Sequence, residues 1–304
     1  MNDQSTYPVG LKRGQAGSKN ERLKVALNTE DILMAPGCFD CVTAKLVAKA
    51  GFTAGYITGS GLSMSALGAP DIGAISFGEI LERVMRMADS VDVPLICDAD
   101  TGYGGPINVI RTVKDLERAG VSGIQIEDQT WPKKCGHELG RTVVDTDEMV
   151  GRIKAAVDAR DDQNLVIIAR TDARTSLGIE AAIERAHRYH EAGADVLFVE
   201  SPESELEMRQ INEQIQAPTL ANMVEGGRTP LFDAATLQEI GYGVAIYPNS
   251  LTRMMASQGA RMLQTLKENG STAAFSDRMV DHRGLWDLFD YSEWTDLEGR
   301  FAKK

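Results

Sequence analysis

Hydrophobic and polar positions along this chain follow a repeated plan. Four stretches each run from a helical segment through a glycine into an apolar segment, and they are "AKAGFTAGYI", "ERAGVSGIQI", "HEAGADVLFV" and "QEIGYGVAIY". A glycine just past the last helical residue is a common helix C-cap. The apolar run that follows is continuous rather than alternating, which is typical of a parallel strand buried on both faces. The pattern predicts a repeating helix-to-strand unit.

Four further apolar runs lie between these units and are bounded by turn residues: "DILMAPG", "VPLICDAD", "LVIIARTDA" and "APTLANM". Segments with helical spacing separate the runs, such as "FGEILERVMRMADSV" and "GIEAAIERAHRYHEAG". Eight buried strands separated by helices predict an α/β fold of the (β/α)8 TIM-barrel type. A doubly wound open sheet is the alternative arrangement of the same elements.

The two ends of the chain differ from this plan. Residues 1–20 are polar and are expected to be loose, so the single barrel domain is predicted to span residues 21–304. After the last strand, "LTRMMASQGARMLQTLKENG" predicts a long helix, and a helical extension is expected from about residue 275. This extension has more apolar residues than a disordered tail carries. We therefore expect it to cover a surface such as that of a neighbouring subunit.

Composition narrows the class of protein. The chain has 304 residues, of which 43% are hydrophobic and 25% charged, as in ordinary globular enzymes. A formal net charge of -12 disfavours binding to nucleic acid or to an anionic membrane. The start of the chain lacks the apolar core of a signal peptide, so a cytoplasmic location is expected. Cys38 and Cys41 form a lone CxxC, which favours structural thiols because a zinc site needs further ligands.

Polar residues follow the predicted strands, at the end where barrel enzymes place their active sites. Asp98 and Asp100 stand at positions i and i+2 and can face the same way. Together with Glu127 from the next strand they form an all-oxygen set that suits Mg2+ or Mn2+. The alternative is that these carboxylates cap helices or pair with Arg170.

The connection after the fourth strand, "WPKKCGHELGR", is the longest without a helical pattern, and such loops on a barrel's active face are commonly mobile lids. Cys135 lies between two lysines, Lys133 and Lys134, and His137. Neighbouring cations lower the pKa of a thiol, so a lowered pKa is expected for Cys135. This side chain is a candidate proton donor or nucleophile.

The motifs "GSGLSMSALGAPD", "DADTGYGG", "QIEDQ", "KKCGH" and "ARTDA" occur in this order, and together they resemble the isocitrate lyase and phosphoenolpyruvate mutase superfamily. The resemblance extends from about residue 22 to about residue 300. It implies a (β/α)8 barrel that binds Mg2+ and small 2-oxo or 2-hydroxy carboxylates. It also implies a homotetramer whose C-terminal helices are swapped between subunits.

The resemblance implies roles for residues at the motif positions. Asp98 corresponds to a direct metal ligand, Asp100 and Glu127 to residues that hold metal-bound waters, and Asp71 to an acidic residue near the site. A second set corresponds to residues that hold the pyruvate or glyoxylate moiety of the substrate: Thr58, Gly59, Ser60 and Arg170.

The "KKCGH" segment resembles the carbon–carbon lyases of the superfamily, because the mutases lack this cysteine motif. The residues of this segment that the resemblance places in the active site are Lys134, Cys135, Gly136 and His137. By this likeness the Cys135 thiol protonates the departing carbanion, which is stabilised near Glu200 and Asn222. Tyr56 is the candidate for the group that takes the proton of the substrate hydroxyl.

Two features give opposite indications of the substrate. Arg253 and Arg283 resemble substrate-binding arginines of methylisocitrate lyases, whereas "TGSGLS" departs from their glycine-rich pattern and looks more like dimethylmalate lyases. The prediction is a Mg2+-dependent lyase that cleaves 2-methylisocitrate or a related acid such as 2,3-dimethylmalate to pyruvate and a second carboxylate. The alternatives are oxaloacetate hydrolysis or decarboxylation, phosphonate mutase chemistry, and a non-catalytic metabolite-binding barrel.

Overall fold

A computed structural model describes residues 16–302 of the chain. The expectation of a loose segment at residues 1–20 falls mostly outside these residues, and residues 16–20 begin helix α1, Ala16–Ala26. The Lys19 ammonium donates to the carbonyls of Ala88 and Val91 at 2.8 and 2.7 Å, and Asn20 is buried. These first turns of α1 are therefore part of the folded unit.

Eight parallel strands form the barrel that the sequence predicts. Their bounds are β1 Leu33–Cys38, β2 Gly55–Ile57, β3 Leu95–Asp98, β4 Gly123–Glu127, β5 Val166–Thr171, β6 Val196–Val199, β7 Leu220–Asn222 and β8 Val244–Tyr247. The strands pair in the order β6-β5-β4-β3-β2-β1-β8-β7. A single bridge between Leu197 and Thr219 joins the two outer strands and nearly closes the barrel. The prediction of a TIM-type fold is confirmed.

Helices lie between the strands, as the alternating pattern predicts. Their bounds are α2 Cys41–Lys49, α3 Gly59–Leu67, α4 Phe77–Ser90, α5 Pro106–Arg118, α6 Thr146–Ala159, α7 Arg174–Leu177, α8 Ile179–Glu191, α9 Glu205–Gln214 and α10 Ala234–Ile240. Local sequence sets several of their ends. Asp40 and Ser76 form capping boxes at the starts of α2 and α4, and Gly68 and Gly241 end α3 and α10 in the left-handed conformation.

The apolar core has an outer and an inner layer. The outer layer packs the helices against the strands and includes Val84, Val113 and Ile153. The inner layer fills the barrel with side chains from alternate strand positions. Leu23 of α1 and Leu27, the residue just after this helix, belong to this inner layer, so α1 covers the N-terminal mouth of the barrel. Polar side chains lie at the opposite mouth, which is formed by the C-terminal ends of the strands.

A helical extension follows β8 and comprises α11 Ser250–Asn269, a 3-10 helix at Ala273–Arg278, α12 His282–Leu288 and α13 Tyr291–Phe301. None of these helices buries a residue within the chain, and large apolar side chains on them are exposed. Asp290 attaches the extension to α2 through Lys45 and Lys49, at 2.7 and 2.8 Å. Along residues 16–302, no helix combines the length and apolar character needed to cross a membrane.

Candidate active site

The C-terminal ends of the strands surround a pocket closed on one side by the segment 131–140, here called the lid. The chain enters and leaves the lid through an antiparallel pair, in which the Thr130 N–H donates to the Thr142 carbonyl at 2.9 Å and the Val144 N–H donates to the Asp128 carbonyl at 2.8 Å. This pair, residues 128–130 with 142–144, is the lid neck. It fixes both ends of the lid to β4.

One wall of the pocket carries the predicted metal carboxylates at the ends of β3 and β4. The Asp98 carboxylate accepts from the Asp100 N–H at 3.1 Å and from the Gln125 amide at 3.3 Å. Asp100 has a φ of 47°, in the left-handed region that ordinary side chains rarely adopt, and Asp100 and Glu127 are each 1% exposed. Such local strain is commonly found at functional sites.

Lys133 rather than Lys134 enters this wall. The Lys133 ammonium lies 2.5 Å from carboxylate oxygens of both Asp71 and Asp100 and is almost fully buried. Burial disfavours its charge, but the surrounding carboxylates, with Asp100 foremost, raise the pKa of Lys133. The Lys134 side chain instead faces solvent and donates to the Gly140 carbonyl at 3.1 Å. The structure thus does not bring the predicted site residue Lys134 to the pocket, because neighbouring side chains on an extended segment point to opposite faces.

Arg170, at the end of β5, forms the opposite wall. Its Nε and Nη2 donate to the two oxygens of Asp172, both at 2.9 Å, and its guanidinium also lies 3.3 Å from Glu127 and 3.5 Å from Glu200. Two parallel bonds to one carboxylate fix the plane of a guanidinium. Asp172 also contacts Arg141 just after the lid. Sequence reasoning did not assign Asp172 to the site, although its i+2 spacing from Arg170 was a usable signal.

Glu200, Asn222 and His137 lie side by side in the pocket. The Asn222 amide donates to Glu200 at 2.9 Å and lies 3.4 Å from His137 Nε2, while His137 Nδ1 accepts from the Arg228 N–H at 3.2 Å. Burial lowers the pKa of His137, so the ring is neutral near pH 7. Burial opposes ionisation of Glu200, but the nearby Arg170 guanidinium lowers its pKa to about 2, with a smaller contribution from the Asn222 amide. Glu200 is therefore an anion.

Cys135 lines the pocket from the lid. The expectation of a lowered pKa is wrong. Burial raises the pKa of Cys135, although a hydrogen bond from the backbone N–H of His137 lowers it in part. The sequence-adjacent cations do not act on it, because Lys133 is paired with Asp71 and Asp100 and Lys134 points outward. The side chain is thus a protonated thiol at neutral pH, which suits a proton donor better than a nucleophile.

Gly136 allows the lid to fit closely over the pocket. A methyl group at this position would lie 2.4 Å from Arg170 Nη2 and 2.7 Å from a Glu200 oxygen. The Gly136 carbonyl accepts from the Ser201 hydroxyl at 2.8 Å. The lid is therefore in a closed position, held directly against the two walls.

The end of β2 and the start of α3 contribute the remaining predicted residues. Thr58 and Ser60 line the pocket, and a methyl group on Gly59 would lie 3.0 Å from Asp98. The Tyr56 hydroxyl donates to Gln125 at 2.9 Å, and burial raises its pKa well above 10.0. A tyrosine that stays protonated is poorly suited to remove a proton, so the structure does not favour Tyr56 as the base.

The structure does not bring Arg253 and Arg283 to the pocket of their own chain. Arg253 has half of its side chain exposed and lies 3.8 Å from Glu225, and the Arg283 side chain is 89% exposed on α12. Both belong to the extension, which leaves the barrel after β8. A further wall was not predicted: Val224, Ile246 and Pro248 form an apolar surface beside Asn222.

A parallel barrel with a thiol-bearing lid over a pocket of carboxylates and one arginine has the arrangement of an enzyme active site. The family described as phosphoenolpyruvate phosphomutase matches residues 23–267, and the chain belongs to this family. The superfamily predicted from the motifs is thereby confirmed.

Two similar proteins are lyases. A 2,3-dimethylmalate lyase from Eubacterium barkeri is 46% identical over 281 residues, covering 92% of this chain and 97% of that protein. A 2-methylisocitrate lyase from Bacillus subtilis (strain 168) is 40% identical over 282 residues, covering 93% of each protein. These likenesses and the lid thiol agree in making the chain a carbon–carbon lyase.

Solved structures show the same architecture. A crystal structure of 2,3-dimethylmalate lyase has a TM-score of 0.87 at 36% identity, covering 93% of this chain and 95% of that one. Oxaloacetate acetylhydrolase in complex with 3,3-difluorooxalacetate has a TM-score of 0.89 at 32% identity, covering 94% and 98%. Phosphonopyruvate hydrolase in complex with oxalate and Mg++ has a TM-score of 0.84 at 29% identity, covering 94% and 99%.

Proposed function

We propose that the protein cleaves the C2–C3 bond of a 2-hydroxy dicarboxylate of the 2,3-dimethylmalate type, giving pyruvate and propionate. The observation that carries this proposal is the closed lid, which places the protonated thiol of Cys135 in the same pocket as Arg170 and Glu200. A lyase reaction of this kind leaves a carbanion that must be protonated, and a buried neutral thiol is suited to supply that proton.

The carboxylate of the pyruvate moiety is assigned to Arg170 and to the start of α3. Asp172 orients the guanidinium, and the α3 N-terminus, with Ser60 in its first turn, directs backbone N–H groups toward the pocket. A helix N-terminus and an oriented arginine both attract anions. Together they support binding of one carboxylate at this end of the pocket.

The apolar wall supports a methyl-substituted dicarboxylate over a tricarboxylate. Val224, Ile246 and Pro248 can contact the substituents on C3, and they offer no charge to a third carboxylate. Among the pocket-lining side chains within residues 16–302, Arg170 is the single permanent cation, because His137 is neutral there. The 2-methylisocitrate alternative would need Arg253 or Arg283, and both lie outside the pocket of their own chain.

The charges around the pocket support a bound Mg2+, with Mn2+ fitting the same ligands. Three cations, Lys133, Arg141 and Arg170, face six carboxylates, which are Asp71, Asp98, Asp100, Glu127, Asp172 and Glu200. One buried oxygen of Glu127 has no hydrogen-bond partner. A divalent cation would offset this negative charge and satisfy such oxygens.

The residues assigned to this cation are Asp98, Asp100 and Glu127. These three carboxylates do not surround one point, because Glu127 faces Arg170 and Asp100 is paired with Lys133. Within residues 16–302, no group of three potential ligands is arranged to hold a metal. When bound, such a cation acidifies the 2-hydroxyl of the substrate and polarises its carboxylate.

The protein groups then account for the rest of the reaction. A carboxylate that lines the pocket, Asp71, Asp98 or Glu200, takes the proton of the 2-hydroxyl. The C2 oxygen then becomes the carbonyl of pyruvate, and the electron pair of the C2–C3 bond moves onto the departing carboxylate fragment. Asn222 can stabilise the negative charge that develops there. The Cys135 thiol gives its proton to C3, which completes propionate. The closed lid excludes water from the carbanion until this transfer.

We further propose that the chain assembles as a homotetramer. The exposed apolar side chains of the extension, among them Met254, Leu263, Trp286 and Phe301, form a surface larger than scattered exposure explains. A neighbouring copy would cover this surface. The net charge of -12 supports the absence of nucleic-acid and membrane partners.

The test is turnover by Cys135→Ser, with Cys41→Ser as a matched control, because Cys41 does not line the pocket. With Mg2+ and 2,3-dimethylmalate, Cys135→Ser should lose about 100-fold or more in kcat, because general acids typically contribute that much. Inhibition by oxalate should stay within about twofold in both variants. Pyruvate formation at the wild-type rate in Cys135→Ser would refute the acid role. Activity on oxaloacetate alone would replace the lyase with a hydrolase.

A further inference from the structure

We infer that Gln129 is the positioning residue of the lid, and that its side-chain amide sets the closed location of Cys135 by holding the backbone of Lys134. The inference rests on the proposed function only in that Cys135 is the group being positioned. No residue of the metal or carboxylate walls takes part in it.

Two hydrogen bonds carry the inference. The Gln129 Nε2 donates to the Lys134 carbonyl at 2.9 Å, and the Lys134 N–H donates to Gln129 Oε1 at 2.9 Å. The amide therefore binds both backbone groups of one residue, as a partner strand would. Gln129 is 1% exposed, so these bonds are shielded from competing water.

Gln129 is located where its side chain can link the lid neck to the lid. Its own backbone belongs to the lid neck, where Gln129 pairs with Val143. The neck is anchored to β4, and the lid is also held by Lys133 on Asp71 and Asp100, by the Gly136 carbonyl on Ser201 and by contacts of His137. The Gln129 amide thus connects the rigid neck to the residue immediately before Cys135.

Loss of the pairing should free the lid without unfolding the barrel. Two hydrogen bonds of ordinary strength shift an opening equilibrium by about tenfold or more. Gln129→Ala removes both bonds. Gln129→Glu keeps the shape of the side chain but replaces the donor with an oxygen that faces the Lys134 carbonyl, so it separates hydrogen bonding from packing.

Alkylation of cysteines by iodoacetamide, followed peptide by peptide with mass spectrometry, measures lid opening in the resting enzyme. Cys135 reports the lid, and Cys41, half-buried at the start of α2, is an internal reference. The ratio of the Cys135 rate to the Cys41 rate should rise about tenfold in both Gln129 variants. Cys38 and Cys97 are fully buried, so their continued protection confirms that the barrel is folded.

Thr142→Ala is the matched control, because Thr142 lies on the exposed side of the same neck and bonds to Thr130 rather than to the lid. Its ratio should equal that of the wild type. The inference would be overturned if the ratio of the Cys135 rate to the Cys41 rate stayed at the wild-type value in either Gln129 variant. It would also be overturned if this ratio rose equally in Thr142→Ala.

Turnover gives a second readout. Gln129→Ala should lower kcat about tenfold, because without the amide the Cys135 thiol is displaced from its reactive position even when the lid is closed. Inhibition by oxalate, which reports the carboxylate walls, should stay within about twofold. A loss of oxalate inhibition equal to the loss of kcat would show a general structural defect and overturn the positioning role. The alkylation ratio is measured without substrate, so a failure of the Cys135 acid role would leave this test unaffected.

Discussion

Gly136→Ala is the substitution that tests most directly how the lid closes. The added methyl group would lie 2.4 Å from Arg170 Nη2, whereas an ordinary contact at this atom is about 3.4 Å, so about 1 Å of movement is required. Neither wall can yield easily. Arg170 is held by two bonds to Asp172, and Glu200 accepts from Asn222 at 2.9 Å.

The lid must therefore be the part that retreats, and it takes Cys135 with it. A displacement of about 1 Å at a reacting group can cost about 100-fold in rate. We expect kcat/KM to fall by at least this factor, with the melting temperature nearly unchanged. Stability is spared because Gly136 has no left-handed φ that would oppose alanine, and because the lid adds little to the barrel core.

The assay is steady-state pyruvate formation with Mg2+ and 2,3-dimethylmalate, accompanied by thermal unfolding. Gly151→Ala is the matched control, because Gly151 lies within α6 and a methyl group there would meet nothing within 4 Å. This control should keep full activity and gain about 0.5–1 kcal/mol of stability. Activity of Gly136→Ala within twofold of the wild type would refute the closed-lid geometry as the reactive one.

Two further predictions concern charge. Burial raises the pKa of Cys135 above its ordinary 9.0. The thiol can donate a proton only below this raised pKa, where it is protonated, so kcat should decline only above pH 9.0. The ultraviolet absorbance of the thiolate, taken as the difference between wild type and Cys135→Ser, checks this, and ionisation below pH 8 would contradict it. Asp172→Asn should destabilise the fold by about 3–5 kcal/mol in urea unfolding, because it leaves the buried Arg170 and Arg141 without their shared carboxylate. Asp147→Asn, which removes an exposed pair with Arg188, should cost less than about 1 kcal/mol, and equal losses in the two variants would argue against the buried pairing.

The barrel could be predicted from the sequence because its signals are local and repeated. A helix ending in glycine and leading into a continuous apolar run marks a parallel strand wherever it occurs. Helix α1 was missed because Leu23 and Leu27 are too few to give a strong apolar pattern, and their role depends on the open mouth of the barrel.

The composition of the pocket could also be predicted, because strand ends converge at one mouth of the barrel. The orientation of each side chain could not. Lys133 and Lys134 are adjacent in sequence and point in opposite directions, so the cations that the sequence places beside Cys135 act elsewhere. The pKa of Cys135 is set by burial under the lid, which no local spacing reveals.

The distant arginines show the same limit. Arg253 and Arg283 match motif positions, but motif spacing does not specify how a helical extension packs. Likewise, the pairing of Arg141 with Asp172 joins residues 31 positions apart and depends on the path of the lid.

The exposed C-terminal extension has a thermodynamic consequence for the molecule as a whole. Isolated helices are marginally stable in water, and α11 buries no residue of its own chain. The barrel carries its stability internally, so its unfolding is governed by temperature and denaturant. In the proposed tetramer, the order of the extension is instead governed by mass action, and it increases with the concentration of the neighbouring copies that cover its apolar side chains. The two parts of one polypeptide thus respond to different variables, and dilution acts on the extension while leaving the barrel intact.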